Sequence, residues 1–194
     1  MEITPVTLTG RHVRLEPLSL DHLDRLCEVG LEESLWRWTV ATVQTVADMK
    51  EYVATALRAR AEGSALPFVT IEQASGRIVG STRYGNIDQD NRRLEIGWTW
   101  IAPAWQRTVI NTEAKYLMLL HAFEVLDCNR VEFKTDSQNE KSRRALLRIG
   151  ATEEGVFRNH MIVQGGRLRH TVFFSIIKSE WPAIKANLEA KLEQ

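Results

Sequence analysis

The sequence predicts a single mixed α/β domain over residues 1–194, with a mostly antiparallel central sheet flanked by helices. Three observations carry that expectation. Strand-like runs flank Ser75-Gly76 and again Gly165-Gly166, the pattern of two antiparallel hairpins. The run Asn111–Leu126 is helical and apolar nearly all round, so it must be buried against a sheet. Strand and helix patterns also alternate through the middle of the chain, which brings at least one parallel pair into the sheet.

The elements follow in order. RHVRLEPL, from Arg11 to Leu18, alternates and reads as the first strand. Ser19 or Asp21 caps a helix running to about Leu31, and Trp36 and Trp38 follow in a short connector. Val46–Ala61 is helical until Gly63 stops it. LPFVTIEQ and RIVGSTRYGNI form the first hairpin, and Leu94–Ile101 is the next strand, leading through Pro103 into WQRTVINTEAK. After the apolar helix comes the strand RVEFKT; Ser137 and Glu140 then make a capping-box pattern for a helix that ends at Gly150. GVFRNHMIV and RLRHTVFFSII form the last hairpin, and Trp181–Leu192 closes the chain as an amphipathic helix.

Composition excludes several classes. Lys+Arg and Asp+Glu balance at 25 each, so no global field draws the chain to nucleic acid or to an anionic membrane. Cys27 and Cys128 are the only cysteines and have no metal-site or disulfide spacing, so two buried thiols and no metal are expected. MEITPVTLTG lacks the apolar run of a signal peptide and no stretch is long enough to span a bilayer, which predicts a cytoplasmic enzyme or binding protein.

Three places point to chemistry. WQRTVINTEAK joins a strand to a helix, the setting in which backbone amides hold phosphates. Val109 and Ile110 cannot take the left-handed backbone of a glycine nest, but the turn can present amides if the chain enters the helix early. The alternative is a plain connection with Asn111 as N-cap. Ser142 shares an inward stripe with Ala145, Leu146 and Ile149, either as a working hydroxyl or bonded back to a carbonyl one turn earlier. In LEIGWTW, Leu94, Ile96, Trp98 and Trp100 point one way, and Glu95, Gly97 and Thr99 the other. Glu95 beside a side-chain-free Gly97 needs either a partner or a catalytic task.

Those residues, with LTGRHVRLEPL, LEIGWTWIAPAWQR, NTEAKYLML and RVEFKTDSQNEKSRRALLRIGATEEGVFRNH, resemble the GNAT superfamily of acyl-CoA-dependent N-acetyltransferases, in its RimJ/RimL-like branch. Asn139, Ser142, Gly150 and Ala151 match that branch's NxxSxxxxxxxGA, and Thr112–Ala114 its TEA. The superfamily's loop is usually Q/R-x-x-G-x-G/A; here Gln106 fits, but Val109 and Asn111 stand where small residues are usual. The resemblance implies a GNAT-like fold and acetyl-CoA as cosubstrate, with Gln106, Arg107, Thr108, Val109, Ile110, Asn111 and Thr112 around its pyrophosphate. It also implies that the strand end at Thr99, Trp100 and Ile101 pairs with the pantetheine arm, that Asn139 bonds that arm, and that Ser142 lies near the thiol.

Direct transfer of an acetyl group to a primary amine needs a proton acceptor, for which Glu95 is the candidate through water, and a proton donor to the thiolate, for which Ser142 is placed. A strand-end amide near Trp100 can serve the oxyanion. In the resembled fold the connector between the first two helices and the distal hairpin flank the amine, so Trp36 and Trp38 either face Arg158, His160 and His170 across the acceptor or plug the core beneath the helices. Those charges favour a peptide or protein N-terminus or an amino-acid-like acceptor over a polyamine. HTVFFSII, apolar on both faces, leads either to an expected homodimer or to a strand covered on one side by Trp181 and the terminal helix. The alternative function is a catalytically weak CoA-binding or regulatory module of the same fold. A nucleic-acid domain on the Arg143, Arg144 and Arg148 stripe is disfavoured by the zero net charge.

Overall fold

Eight strands pair into one sheet in the computed structural model, which describes residue 1 and residues 3–193. They are β1 (Leu8–Thr9), β2 (Val13–Pro17), β3 (Leu66–Glu72), β4 (Ile78–Asp88), β5 (Arg93–Ile101), β6 (Arg130–Asp136), β7 (Thr152–Ile162) and β8 (Leu168–Ile177). Their spatial order is β1-β2-β3-β4-β5-β6-β8-β7. Every neighbouring pair is antiparallel except β5 and β6. The exception follows from connectivity: β5 reaches β6 through a helix, and the crossover returns the chain in the same direction.

The helices are α1 (Leu23–Gly30), α2 (Val46–Ala61), α3 (Val109–Leu120), α4 (Glu140–Arg148) and α5 (Trp181–Leu192). Helix α2 begins where the Thr45 side chain accepts the Asp48 amide while Asp48 returns a bond to Thr45, a reciprocal cap. It is followed by Gly63 at φ 72, a conformation that costs a glycine nothing. Helix α3 runs on into a π turn over His121–Val125, so the apolar stretch is helical to its expected end.

Two apolar clusters hold the sheet between its layers. Leu94, Ile96, Ile101, Phe133, Val172 and Phe174 join residues of α3 and α5 on one face. Val69, Ile71, Ile78 and Trp100 join α1 and α2 residues on the other. One of the two faces of β8 that led to the expected homodimer is covered within the chain, with Val172, Phe174 and Ile176 in the α3/α5 cluster; on the other, Phe173 packs on an exposed Phe157 at 4.3 Å and Ile177 is exposed.

Local corrections follow the same physics. The first strand is shorter than Arg11–Leu18, a 3-10 turn over Leu20–His22 precedes α1, and Leu8–Thr9 adds an edge strand that its length concealed. Asn139, not Ser137, caps α4, because its Oδ1 sits 3.1 Å from the Ser142 amide. Of the two thiols Cys128 is buried, whereas Cys27 is half-buried on α1. No described helix is long and apolar enough to cross a membrane.

Candidate functional site

The site begins where β5 and β6 part. Their parallel pairing covers only Arg93↔Arg130, Leu94↔Val131 and Glu95↔Glu132. Beyond Glu95, β6 stays paired with β8 as far as Asp136 while β5 continues to Ile101 with β4 alone. A wedge therefore opens between two central strands, and one edge of β5 is left with unpaired backbone groups.

A bulge sharpens that edge. Arg83 pairs with Gly97 and Ser81 with Trp100, so β5 spends one more residue than β4 over this interval. Trp98 takes the left-handed backbone at φ 51. The bulge resets the alternation, which corrects the expected grouping: Leu94 and Ile96 face the α3/α5 core, Trp100 faces the α1/α2 core, and Trp98 is exposed. Thr99, now on the α3 side, bonds Thr82 Oγ1 and accepts Lys115 Nζ, each at 2.8 Å.

The loop after β5 enters its helix early. Thr108 is the N-cap of α3, so Val109 and Ile110 are its first helical residues and Asn111 lies inside. The single left-handed residue is Arg107 at φ 63, whose unbranched side chain tolerates it better than valine or isoleucine would. Among the described residues the Ile110 amide reaches Thr108 Oγ1 at a long 3.4 Å, while the amides of Arg107, Thr108, Val109 and Asn111 have no acceptor. Gln106 turns inward, donating to the Ile101 carbonyl at 2.7 Å and accepting from Lys141 of α4.

Glu95 lies buried on the face opposite the α3/α5 core. Its Oε2 takes Lys134 Nζ at 2.8 Å and Asn86 Nδ2 at 2.6 Å. Its Oε1 has no partner among the described residues and passes over Gly97, where a Cβ would stand 2.8 Å away. The carboxylate thus has both a structural ion pair and one free oxygen. Ser142 is half-buried and its hydroxyl makes no bond back to the helix. Asn139 spends Oδ1 on capping, which leaves its Nδ2 free to donate.

Sequence reasoning missed two buried charges on α3. Glu113 reaches under the β1–β2 turn and accepts the amides of Arg11, His12 and Val13 at 2.9, 2.7 and 2.6 Å. It pins the first turns of α3 to the sheet edge, and the TEA motif was its only trace. Lys115 is buried with no carboxylate in contact among the described residues; burial pushes its ammonium down to about 7, against an opposing pull from Glu95. A lysine in a helix apolar on every side was the signal for it.

The expected acceptor wall is partly corrected. Trp36 is a core residue: its indole donates to the Gly30 carbonyl at 2.8 Å and its ring packs on Tyr52 and Trp100. Trp38 remains half-buried, with the guanidinium groups of Arg37 and Arg167 over its ring at 4.9 and 5.5 Å. Arg158, His160 and His170 line one concavity with Phe157 and Asn159, formed where β7 bulges away from β8. His170 accepts the Asn159 amide at 2.8 Å, and His160 meets Thr171 Oγ1 at 3.0 Å.

A wedge between parallel central strands, a bulged strand edge and an open helix start define a mixed α/β fold with a cleft lined by free backbone groups. The family model described as an acetyltransferase (GNAT) domain matches residues 12–152, and the chain belongs to that family. YdaF of Bacillus subtilis, provisionally named a ribosomal N-acetyltransferase, is 40% identical over 111 residues; the match spans 57% of this chain and 59% of that protein. An N-acetyltransferase named p20 from Bacillus licheniformis is 26% identical over 90% of this chain and 98% of its own length. Among solved structures, a GCN5-related N-acetyltransferase from Brucella melitensis superposes with a TM-score of 0.91 at 36% identity, covering 98% of this chain and 86% of that one. The RimJ structure from Mycobacterium smegmatis, in complex with CoA-disulfide, shares the fold with a TM-score of 0.84 at 24% identity, over 96% of this chain and 95% of that one.

Proposed function

We propose that the protein is an acetyl-CoA-dependent N-acetyltransferase acting on a primary amine of a peptide or protein N-terminus or of an amino-acid-like acceptor. The observation that carries this reading is the parting of β5 and β6 beyond Glu95, next to a helix start with unpartnered amides. That combination fits acyl-CoA chemically: free helix-start donors suit a pyrophosphate, and a free strand edge suits an arm built of amides. Acetyl-CoA supplies the activated acyl group when bound, held by Gln106 to Thr112, by the Thr99–Ile101 edge and by Asn139.

The chain's own groups then have separable tasks. Glu95 Oε1 takes the proton of the incoming ammonium, through water, while Lys134 and Asn86 hold the other oxygen still. A backbone amide near Trp100, on the part of β5 that runs on beyond its pairing with β6, suits a developing oxyanion. Ser142, with its hydroxyl uncommitted, donates to the departing thiolate. No helix-borne nucleophile or metal is asked of this set of residues.

Thiol release from acetyl-CoA, followed over a panel of amines, amino acids and short peptides, tests the reading. Glu95→Gln is expected to lower turnover and remove the acidic limb of the pH profile with acetyl-CoA affinity nearly unchanged. Tight acetyl-CoA binding without transfer to any amine would instead favour a CoA-binding module.

A further inference from the structure

The face of the sheet that carries Glu95 holds more positive charge than the proposed chemistry uses. Arg83 on β4 stands directly across from Gly97, two residues along β5 from Glu95. It is only 5% exposed, yet no carboxylate among the described residues pairs with it and its Nε has no acceptor. Its guanidinium carbon lies over the rings of Tyr52 at 5.2 Å and Trp98 at 4.9 Å. Aromatic rings occupy the faces of a guanidinium and leave its N–H donors pointing outward in the plane, the edge that takes a carboxylate through two parallel bonds.

A second arginine repeats the pattern from the other side of the wedge. Arg169 on β8 is 7% exposed, has an unpartnered Nε and makes no ion pair among the described residues. The two acids that act on it electrostatically are already engaged: Asp136 is held by Arg167 at 2.5 Å, and Glu95 by Lys134 at 2.8 Å. Burial of an unpaired cation is costly unless something brings a counter-charge. The face around Glu95 therefore has two buried guanidinium groups beyond those its own carboxylates neutralise.

We propose that Arg83, with Arg169 opposite, is a receptor for a carboxylate on the acceptor, so that the amine acetylated belongs to a molecule carrying a carboxylate close to that amine. This rests on the acetyltransferase reading and narrows it. Two sources share the chemistry: the α-carboxylate of a free amino acid, and the side chain of an acidic residue at a peptide N-terminus. Gly85 and Gly97 let the Trp98 ring and the Glu95 carboxylate lie close against the sheet beside Arg83; a Cβ would meet the ring at 2.3 Å and Glu95 Oε1 at 2.8 Å. Trp98, held over Arg83 by its left-handed backbone, serves as the lid of that receptor.

Matched acceptors test it. Glycine against glycinamide addresses the free amino acid, and Asp-Ala-Ala amide against Asn-Ala-Ala amide addresses the acidic N-terminus, each read by thiol release and product mass. The acid is expected to exceed its amide in kcat/KM by roughly 10–100-fold in one of the two pairs. Arg83→Met should collapse that ratio toward one, and Arg83→Lys should retain part of it. A binding arm, thermal shift by N-acetylglycine against N-acetylglycinamide and by the two N-acetylated peptides, is independent of turnover. Acids and amides equal in both arms would overturn the carboxylate receptor, as would an undiminished ratio in folded Arg83→Met. Selective carboxylate binding without transfer to any amine would leave the receptor standing and remove the acetyltransferase reading.

Discussion

Helices α3 and α4 each follow a central strand of the same sheet, yet their first turns are built in opposite ways. In α4, Asn139 Oδ1 accepts the Ser142 amide at 3.1 Å, the Asn139 carbonyl accepts Arg143 at 3.0 Å, and Glu140 sits in the first turn. That helix start is satisfied and neutralised by its own residues. In α3 the Thr108 cap bond is 3.4 Å, the amides of Val109 and Asn111 have no acceptor among the described residues, no acid lies in the first turn, and Arg107 precedes it. Free donors at the positive end of a helix are an anion site, whereas donors already capped are only a fold boundary.

The helices differ as much further along. Helix α4 buries Leu146 alone, while α3 buries Glu113 and Lys115 among five apolar residues. The largest expected effect follows from that lysine. Folding lowers the Lys115 pKa to about 7, while an unfolded lysine titrates near about 10.4. Between those values the unfolded chain binds more protons, so stability rises with pH across that window, by up to roughly 1 kcal/mol per unit. Below about 7 both states are protonated and the full burial penalty is present. Lys115→Met should be the more stable form near pH 6 and should lose the slope. Melting temperatures from pH 6 to 10 that run parallel for the two forms would contradict this.

The next effect concerns the open turn itself. Val109 is the first helical residue of α3, a position where proline is tolerated, and Thr108 before it is extended at φ −106, as a residue preceding proline must be. Val109→Pro should therefore fold while deleting one free amide. Acetyl-CoA affinity is expected to fall roughly 10–100-fold, against little change for Val109→Ala. Equal calorimetric affinities would mean that the amides of α3 are as idle as those of α4.

The two helix starts should also differ in what their caps contribute to stability. Asn139→Ala removes a working cap and should cost about 1 kcal/mol. Thr108→Ala removes a cap bond already stretched to 3.4 Å and an exposed hydroxyl bond to the Trp105 carbonyl at 2.7 Å, and should cost roughly half of that. Denaturant midpoints for the two variants give the comparison directly, and equal losses would refute the view that α3 is left uncapped.

These two turns also mark where the sequence was legible and where it was not. Helices α2 and α5 and both hairpins could be read because the Gly63 stop, amphipathic patterning and the turns at Ser75-Gly76 and Gly165-Gly166 are local signals that packing reinforces. The starts of α3 and α4 were displaced, since Thr108, Asn111, Ser137 and Asn139 are all competent caps and only tertiary placement chooses among them. At the bulge the left-handed position falls on Trp98, one residue after Gly97, so the glycine did not mark it and the alternation through LEIGWTW read as unbroken. Arg83 and Lys115 were hidden for a related reason: a charge in an apolar run looks like a solvated interruption until the layers that cover it are known. Glu95 beside Gly97 was readable, although its partner Lys134 comes from a strand 39 residues further on.

The smallest effect has a sign that sets the two turns apart most cleanly. Arg107 occupies the left-handed region at φ 63, which a glycine adopts without the steric penalty of a Cβ. Arg107→Gly should therefore stabilise the fold slightly, by less than about 1 kcal/mol, because the relief of strain is offset by the extra freedom of the unfolded chain. If the turn existed only to connect β5 to α3, that gain would come free of any functional loss. If it receives an anion, the same variant should bind acetyl-CoA more weakly, and the deficit should shrink as salt is raised from about 0.05 to 1 M, since an exposed guanidinium is screened over a few ångströms at the upper end. Melting temperature and calorimetric affinity should move in opposite directions in one protein. A variant that gains stability with no change in affinity or in its salt dependence would make Arg107 a conformational accident, and the open start of α3 would then depend on its amides alone.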